Sequence, residues 1–196
     1  MRLVPLFLAA VISFAAWAQV DPSVLSKLRE GGYVLYMRHA STDFSQNDAN
    51  SRSYEDCANQ RNLTDKGREE ARTIGAHVKR LKIPIGAVLA SPFCRTMETA
   101  RLIFGHATAS DAVRGGPVQP VSPAQYAPLR EMLATPVKGA TNLALVGHAN
   151  PFRALAGGKF LAEGEAAVIE PRGKDGFRAV ARVRPDEWRA LETASK

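Results

Sequence analysis

The sequence predicts an α/β fold of three layers, with helices on both faces of a mostly parallel sheet and a C-terminal hairpin at the sheet edge. Three observations carry that expectation. Tyr33–Met37, Ile85–Ala90 and Asn142–Val146 are short apolar runs with the length of buried strands. Helical patterns follow them, so strand and helix alternate along the chain. Finally, Ala166–Ile169 and Phe177–Val183 flank Gly173–Gly176 as the two arms of a hairpin. The second arm alternates apolar and basic residues, as an edge strand with one wet face does.

Residues 1–18 read as a leader rather than as part of the fold. Arg2 supplies a positive start, Leu3 to Trp17 is mostly apolar, and Ala16-Trp17-Ala18 fits a small-x-small cleavage site ahead of Gln19. The run is short for a membrane span, and no later stretch is long and apolar enough to be one. The expectation is therefore a single domain over residues 19–196, exported to the periplasm or beyond. The whole chain has 26 basic and 19 acidic side chains, a net charge of +7. That excess suits anionic partners. The chain lacks runs of five or six like charges and basic helices with interleaved aromatics, which argues against nucleic acid.

The two cysteines, Cys57 and Cys94, match no zinc spacing, and neither CxxC nor HExxH occurs, so no metal or other cofactor is expected. After export, pairing is the default, and closing that loop is worth about 4 kcal/mol of chain entropy. Two buried thiols are the alternative.

Taken in order, Asp21–Arg29 is a short helix stopped by Gly31-Gly32. Ser41–Asn62 is polar, aperiodic and too long for a connector; loops of that length tend to carry function, so it is expected to cover a site. Thr64 is a good N-cap, and Ala71, Ile74, Val78 and Leu81 mark the apolar face of a helix near 66–81. After the strand at 85–90, Ser91-Pro92 turns the chain into a helix reaching about Phe104. Val118–Val121 is a short strand at best, and Gln125–Ala134 one more helix, interrupted by Pro128. Asn150-Pro151 is expected to cap and start the helix after the strand at 142–146.

The chemistry gathers where the strands end. One strand runs into Arg38-His39 and another into Gly147-His148, while Arg95 follows the third across a Ser-Pro turn. In open α/β sheets ligands bind at the carboxyl ends of the strands. A lone histidine or arginine there has ordinary explanations. Two histidines and two arginines delivered to one end instead suit a tetrahedral oxyanion, because guanidinium forks match phosphate geometry. Phosphoryl transfer would need a neutral imidazole as nucleophile, fixed cations around the phosphoryl oxygens, and a carboxylic acid to protonate the leaving oxygen.

Tyr36-Met37-Arg38-His39-Ala40 resembles the Arg-His-Gly signature of the histidine phosphatase superfamily, the phosphoglycerate-mutase-like proteins. Leu63-Thr64-Asp65-Lys66-Gly67, Ser91-Pro92-Phe93-Cys94-Arg95-Thr96-Met97-Glu98-Thr99-Ala100 and Val146-Gly147-His148 resemble its further blocks, in the family's order over residues 33–155. The resemblance implies a phosphoglycerate-mutase-like fold, His39 as the residue that becomes phosphorylated, and Arg38, Arg95 and His148 around the phosphoryl group. Leu129-Arg130-Glu131 has the form of the block that supplies the general acid in many members; a solvated glutamate is the alternative reading of Glu131, and Asp43 and Asp56 are rivals for the role. Alanine at 40 replaces the usual glycine. Ser45 stands where an asparagine often contacts phosphate, and Asn47 is the nearby substitute. The segments around Cys57 and Gln60–Thr64 resemble a subgroup of small exported members, which implies a Cys57–Cys94 disulfide pinning the cover loop beside Arg95.

The implied activity is metal-independent hydrolysis of a small phosphomonoester outside the cytoplasm through a phosphohistidine. A mutase-like phosphotransferase is one alternative, and a non-catalytic phosphate- or anionic-glycan-binding module on the same scaffold is another. Envelope phosphosugars are the suggested substrates.

Overall fold

Alternate residues of the first strand feed two separate cores. Val34–Arg38 (β1) buries Leu35 and Met37 on one face and Val34 and Tyr36 on the other, all with no exposed surface. A strand apolar on both faces belongs in the middle of a covered sheet, and that is where it lies. The computed structural model describes residues 21, 23–115 and 123–193. The expected leader, the expected cleavage site and the short run 118–121 lie outside the described residues.

Ser23–Glu30 (α1) precedes β1, and Gly31 and Gly32 turn the chain with φ of 82° and 86°. A side chain at Gly31 would meet the backbone of Ala140 and Thr141. Next come Asp65–Arg80 (α2), Ile85–Ala90 (β2), Cys94–Phe104 (α3), the two-residue strand Thr108–Ala109 (β3) and Ala127–Ala134 (α4). Asn142–Gly147 (β4), Ala149–Ala156 (α5), Ala166–Pro171 (β5), Phe177–Val183 (β6) and Trp188–Thr193 (α6) complete the order.

The sheet runs β3-β2-β4-β1-β5-β6. The first four strands pair in parallel, and β5 and β6 pair antiparallel, so the sheet is mixed. One core joins α1, α2, α3 and α6 to the face bearing Leu35, Met37, Val88, Val146 and Val168. The second joins α4 and α5 to the face bearing Val34, Tyr36, Leu145 and Ile169. The result is the expected three layers. Among the described residues, no helix is long and apolar enough to cross a membrane.

Several local expectations change. Thr64 does cap α2, its hydroxyl accepting from the Gly67 N–H at 2.9 Å. Asn150 is not a cap: α5 begins at Ala149 with His148 at the cap position, and Pro151 sits in the first turn, where its missing N–H costs nothing. Pro128 likewise opens α4 rather than interrupting it, after a short 3₁₀ turn over Pro123–Tyr126. Two-residue β3 offers too little pattern to read from sequence.

Candidate active site

Parallel pairing of β1 with β4 sets the site's frame. Arg38 lies opposite Gly147, so the next residues, His39 and His148, leave adjacent strands at the same level. Their rings meet edge to face with centroids 5.6 Å apart. They line one cavity of about 600 Å³ together with Arg38, Asp48, Tyr54, Arg61, Phe93, Arg95, Asp111 and Arg114.

His39 is 2 % exposed and held from both sides of its backbone. Its N–H donates to the Gly147 carbonyl at 3.1 Å, and its carbonyl accepts from Gly164 N at 2.9 Å. The ring's Nδ1 lies 2.9 Å from the Ala40 carbonyl. A carbonyl only accepts, so Nδ1 carries the proton and Nε2 keeps a lone pair. Burial, then the neighbouring His148, and more weakly Arg95 and Arg38, hold the imidazole's pKa well below its usual 6.5. His39 is therefore neutral at physiological pH. Ala40 is fully buried, and its N–H donates to the Thr99 hydroxyl at 3.1 Å; that hydroxyl in turn donates to the Arg95 carbonyl at 2.7 Å. Thr99 thus ties the His39 loop to the first turn of α3.

His148 is fixed by β1. The Tyr36 hydroxyl donates to its carbonyl at 2.8 Å and accepts from its N–H at 3.2 Å. Nε2 pairs with the Ser91 hydroxyl at 2.9 Å. Burial first, and then the nearby Arg95, pull its pKa down to about 3. A side chain at Gly147 would collide with the Tyr36 hydroxyl and Val113; glycine there makes room for both.

The cations come from three places. Arg38 donates through Nη1 to the Leu161 carbonyl at 2.9 Å and sits 3.4 Å from Glu163, which also accepts from the Thr42 N–H and hydroxyl. Arg95 is 5 % exposed, lies over the Phe93 ring at 4.5 Å, and donates from Nη1 to Asp48 at 2.9 Å. Arg61 lies on the cover loop, its guanidinium 4.9 Å from the centre of the Phe44 ring. The Nε atoms of Arg61 and Arg95 are buried without a protein partner. Unpaired buried donors are costly unless a ligand or water takes them.

Cys57 and Cys94 are joined in a disulfide, as the resemblance implied. Gln60, 1 % exposed, adds a second clasp: Nε2 donates to the Ser53 and Tyr54 carbonyls, and Oε1 accepts from Cys94 N at 2.9 Å. The loop 41–62 is thereby fastened to the start of α3, with Asp48, Tyr54 and Arg61 at the cavity. Asp48 is paired as well as partly buried: burial would raise its pKa, but the Arg61 N–H and Arg95 outweigh it and hold the carboxyl below its usual range.

Glu131 departs from the reading taken from sequence. It is exposed and lines a separate cavity of about 540 Å³ with Met132, Pro136 and Val137. The reason is helical phase: α4 buries Leu129 and Leu133, so the residue midway between them faces away. Asp43 and Asp56 do not line the main cavity either. Asp43 accepts from Ser45, and Asp56 from Arg52 N and Asn59. Ser45 and Asn47 are absent from its wall. Asp48 and Tyr54 lie on a long polar loop with no periodicity to point them inward, and Arg114 follows a single 3₁₀ turn over Asp111–Val113 that leaves no pattern either. The Ser-Pro turn before Arg95 is the one signal that could have brought Phe93 in. Among the described residues, no group of three or more His, Cys, Asp or Glu could hold a metal ion.

Residues 34–114 match the histidine phosphatase superfamily (branch 1). No curated protein matches the chain. Among solved structures, the protein histidine phosphatase SixA complexed with tungstate aligns over 79 % of this chain and 97 % of its own, with a TM-score of 0.57 and 20 % identity. A SixA protein from Agrobacterium tumefaciens aligns over 79 % and 99 %, with a TM-score of 0.55 and 18 % identity. A phosphoserine phosphatase mutant from Entamoeba histolytica, in complex with phosphoserine, aligns over 79 % and 98 %, with a TM-score of 0.56 and 10 % identity. At such identities the likeness is one of fold. The family match thus spans β1, α2, β2 and α3, the elements from which Arg38, His39 and Arg95 come, and the likeness of fold extends over 79 % of the chain.

Proposed function

We propose that the chain is an exported, metal-independent phosphomonoesterase of acid-phosphatase type, residues 1–18 being its leader and 19–196 its single domain. The observation that carries the reading is the meeting of two neutral imidazoles, 5.6 Å apart, in a cavity walled by Arg38, Arg61 and Arg95. His39 is the nucleophile. Its Nδ1–H is held by Ala40, so the Nε2 lone pair attacks phosphorus; a P–N bond forms as the P–O ester bond breaks. Water then attacks the phosphohistidine, the P–N bond breaks, and inorganic phosphate leaves. The arginines and the His148 ring face the phosphoryl oxygens, where fixed cations lower the barrier without a metal.

Asp48 acts on Arg95, holding its guanidinium, and as a charged carboxylate it does not donate a proton. The proton for the leaving oxygen comes from a group lining the cavity, a condition that Glu131, Asp43 and Asp56 do not meet. Export motivates hydrolysis over mutase chemistry and makes phosphorylated envelope sugars reasonable substrates. Steady release of inorganic phosphate from p-nitrophenyl phosphate, unaffected by a chelator, is the expected result. Absence of release from every phosphomonoester tried would defeat the proposal.

A further inference from the structure

The cavity is much larger than a phosphoryl group needs. About 600 Å³ lies within the range, roughly 300–1,000 Å³, of sites that enclose whole small molecules. Its charge is also not all at one end. From the histidines a continuous wall of rings leads away: His39 to His148 at 5.6 Å, His148 to Phe93 at 5.4 Å, Phe93 to Tyr54 at 5.1 Å. At the Tyr54 end of that chain of rings Arg114 donates from Nη1 to the Tyr54 hydroxyl at 2.8 Å, while the next residue, Gly115, packs against the His148 ring.

Arg114 differs from Arg38 and Arg95 and shares with Arg61 the lack of an ion pair among the described residues. Arg38 and Arg95 each have a carboxylate against them, Glu163 and Asp48. Arg114 forms no ion pair among the described residues; its fixed contact is a hydroxyl. Because Tyr54 accepts from Arg114, its own O–H is free to donate to another acceptor. Tyr54 is held in place rather than loosely disposed: the Gln60 clasp and the Cys57–Cys94 bridge fix its segment to α3. Asp111 lines the same end of the cavity and offsets part of the Arg114 charge.

We infer that Arg114 and Tyr54 form a second anion subsite, and that the substrate is a small phosphomonoester with a further anionic group across an apolar or ring-like spacer lying along Phe93. The inference rests on the phosphatase reading of the cavity. Guanidinium and phenol together present charge-assisted donors to a carboxylate or second phosphate, while the aromatic wall takes the spacer.

The test is calorimetric binding of phenylphosphonate and 4-carboxyphenylphosphonate to the full chain, its Arg114→Gln variant and its Asp111→Asn variant. The wild type is expected to prefer the carboxylated probe by about tenfold, the scale of one charge-assisted contact. Arg114→Gln should erase that preference, lowering affinity for the carboxylated probe by about tenfold more than for phenylphosphonate; Asp111→Asn should widen it. Equal affinity of the wild type for both probes, or an Arg114→Gln loss shared equally by both, overturns the inference. Phenyl phosphate hydrolysis reports separately on the underlying reading. Steady turnover without the binding preference removes the second subsite alone, and preference without turnover removes the phosphatase reading while the subsite stands.

Discussion

The Tyr36 hydroxyl holds both backbone groups of His148, donating to its carbonyl at 2.8 Å and accepting from its N–H at 3.2 Å. Tyr36 is fully buried and stacks on Phe152 with ring centroids 5.2 Å apart. A residue of the first strand, three positions before His39, therefore sets where the second histidine stands. Tyr36→Phe keeps the ring and its stacking but leaves two backbone groups without their partner. Stability should fall by about 1–3 kcal/mol, read from denaturant unfolding. If His148 acts on the phosphoryl transition state as proposed, turnover should fall with KM little changed. An unaltered kcat would show that this tether does not position the site.

The Cys57–Cys94 bridge spans 37 residues and carries the loop bearing Asp48, Tyr54 and Arg61. Removing it by Cys57→Ser with Cys94→Ser should cost about 4 kcal/mol by chain entropy. KM should rise as well, because three lining residues lose their anchor. Thermal unfolding and steady-state kinetics of the double variant check both, and a destabilised variant with native KM would mean that Gln60 alone secures the loop.

Asp48 supplies the counter-charge to a guanidinium that is only 6 % exposed. Asp48→Asn preserves an acceptor for the Arg61 N–H and removes that charge. A fully buried pair broken in this way costs about 3–5 kcal/mol; with Asp48 one-third exposed, about 1–2 kcal/mol is expected. Inorganic phosphate should then raise the melting temperature of the variant more than that of the wild type, since the anion replaces the missing charge. A smaller shift in the variant would contradict the placement of phosphate beside Arg95.

Both histidines have depressed pKa values, His148 to about 3 and His39 well below 6.5. Above pH 6.5 these groups are neutral in the folded and unfolded states alike and add no pH dependence. Below it the unfolded chain binds protons that the folded site refuses, so stability declines as pH falls from about 6.5 toward 3. His39 meanwhile stays deprotonated, and if it is the nucleophile kcat/KM should persist at pH 5 without an inflection near 6.5. Urea melts across pH 3–8 and a pH–rate profile test the pair of statements.

Much of this architecture was legible in the sequence, because burial leaves patterns. The apolar runs at 33–37, 85–90 and 142–146 read as strands of a covered sheet, and the Thr64 cap with Ala71, Ile74 and Val78 marks α2 within a residue or two. The positions of His39, His148 and Arg95 followed from where those strands stop. What stayed hidden depends on phase or on long-range contact. Glu131 lies in a motif-like triplet, yet the core contacts of Leu129 and Leu133 rotate it out of the site. Asp48 reaches Arg95 across 47 residues through a loop with no periodicity, and no local signal marks that contact.

In the proposed mechanism the phosphoryl group passes covalently from substrate to Nε2 of His39. Rapid acid-free quenching after mixing with ³²P-labelled substrate, followed by proteolysis at alkaline pH, measures it directly. An alkali-stable, acid-labile label is expected on the peptide containing His39 and absent in His39→Ala, whose turnover falls by several orders of magnitude. Label on any other residue, or full turnover by His39→Ala, would contradict it.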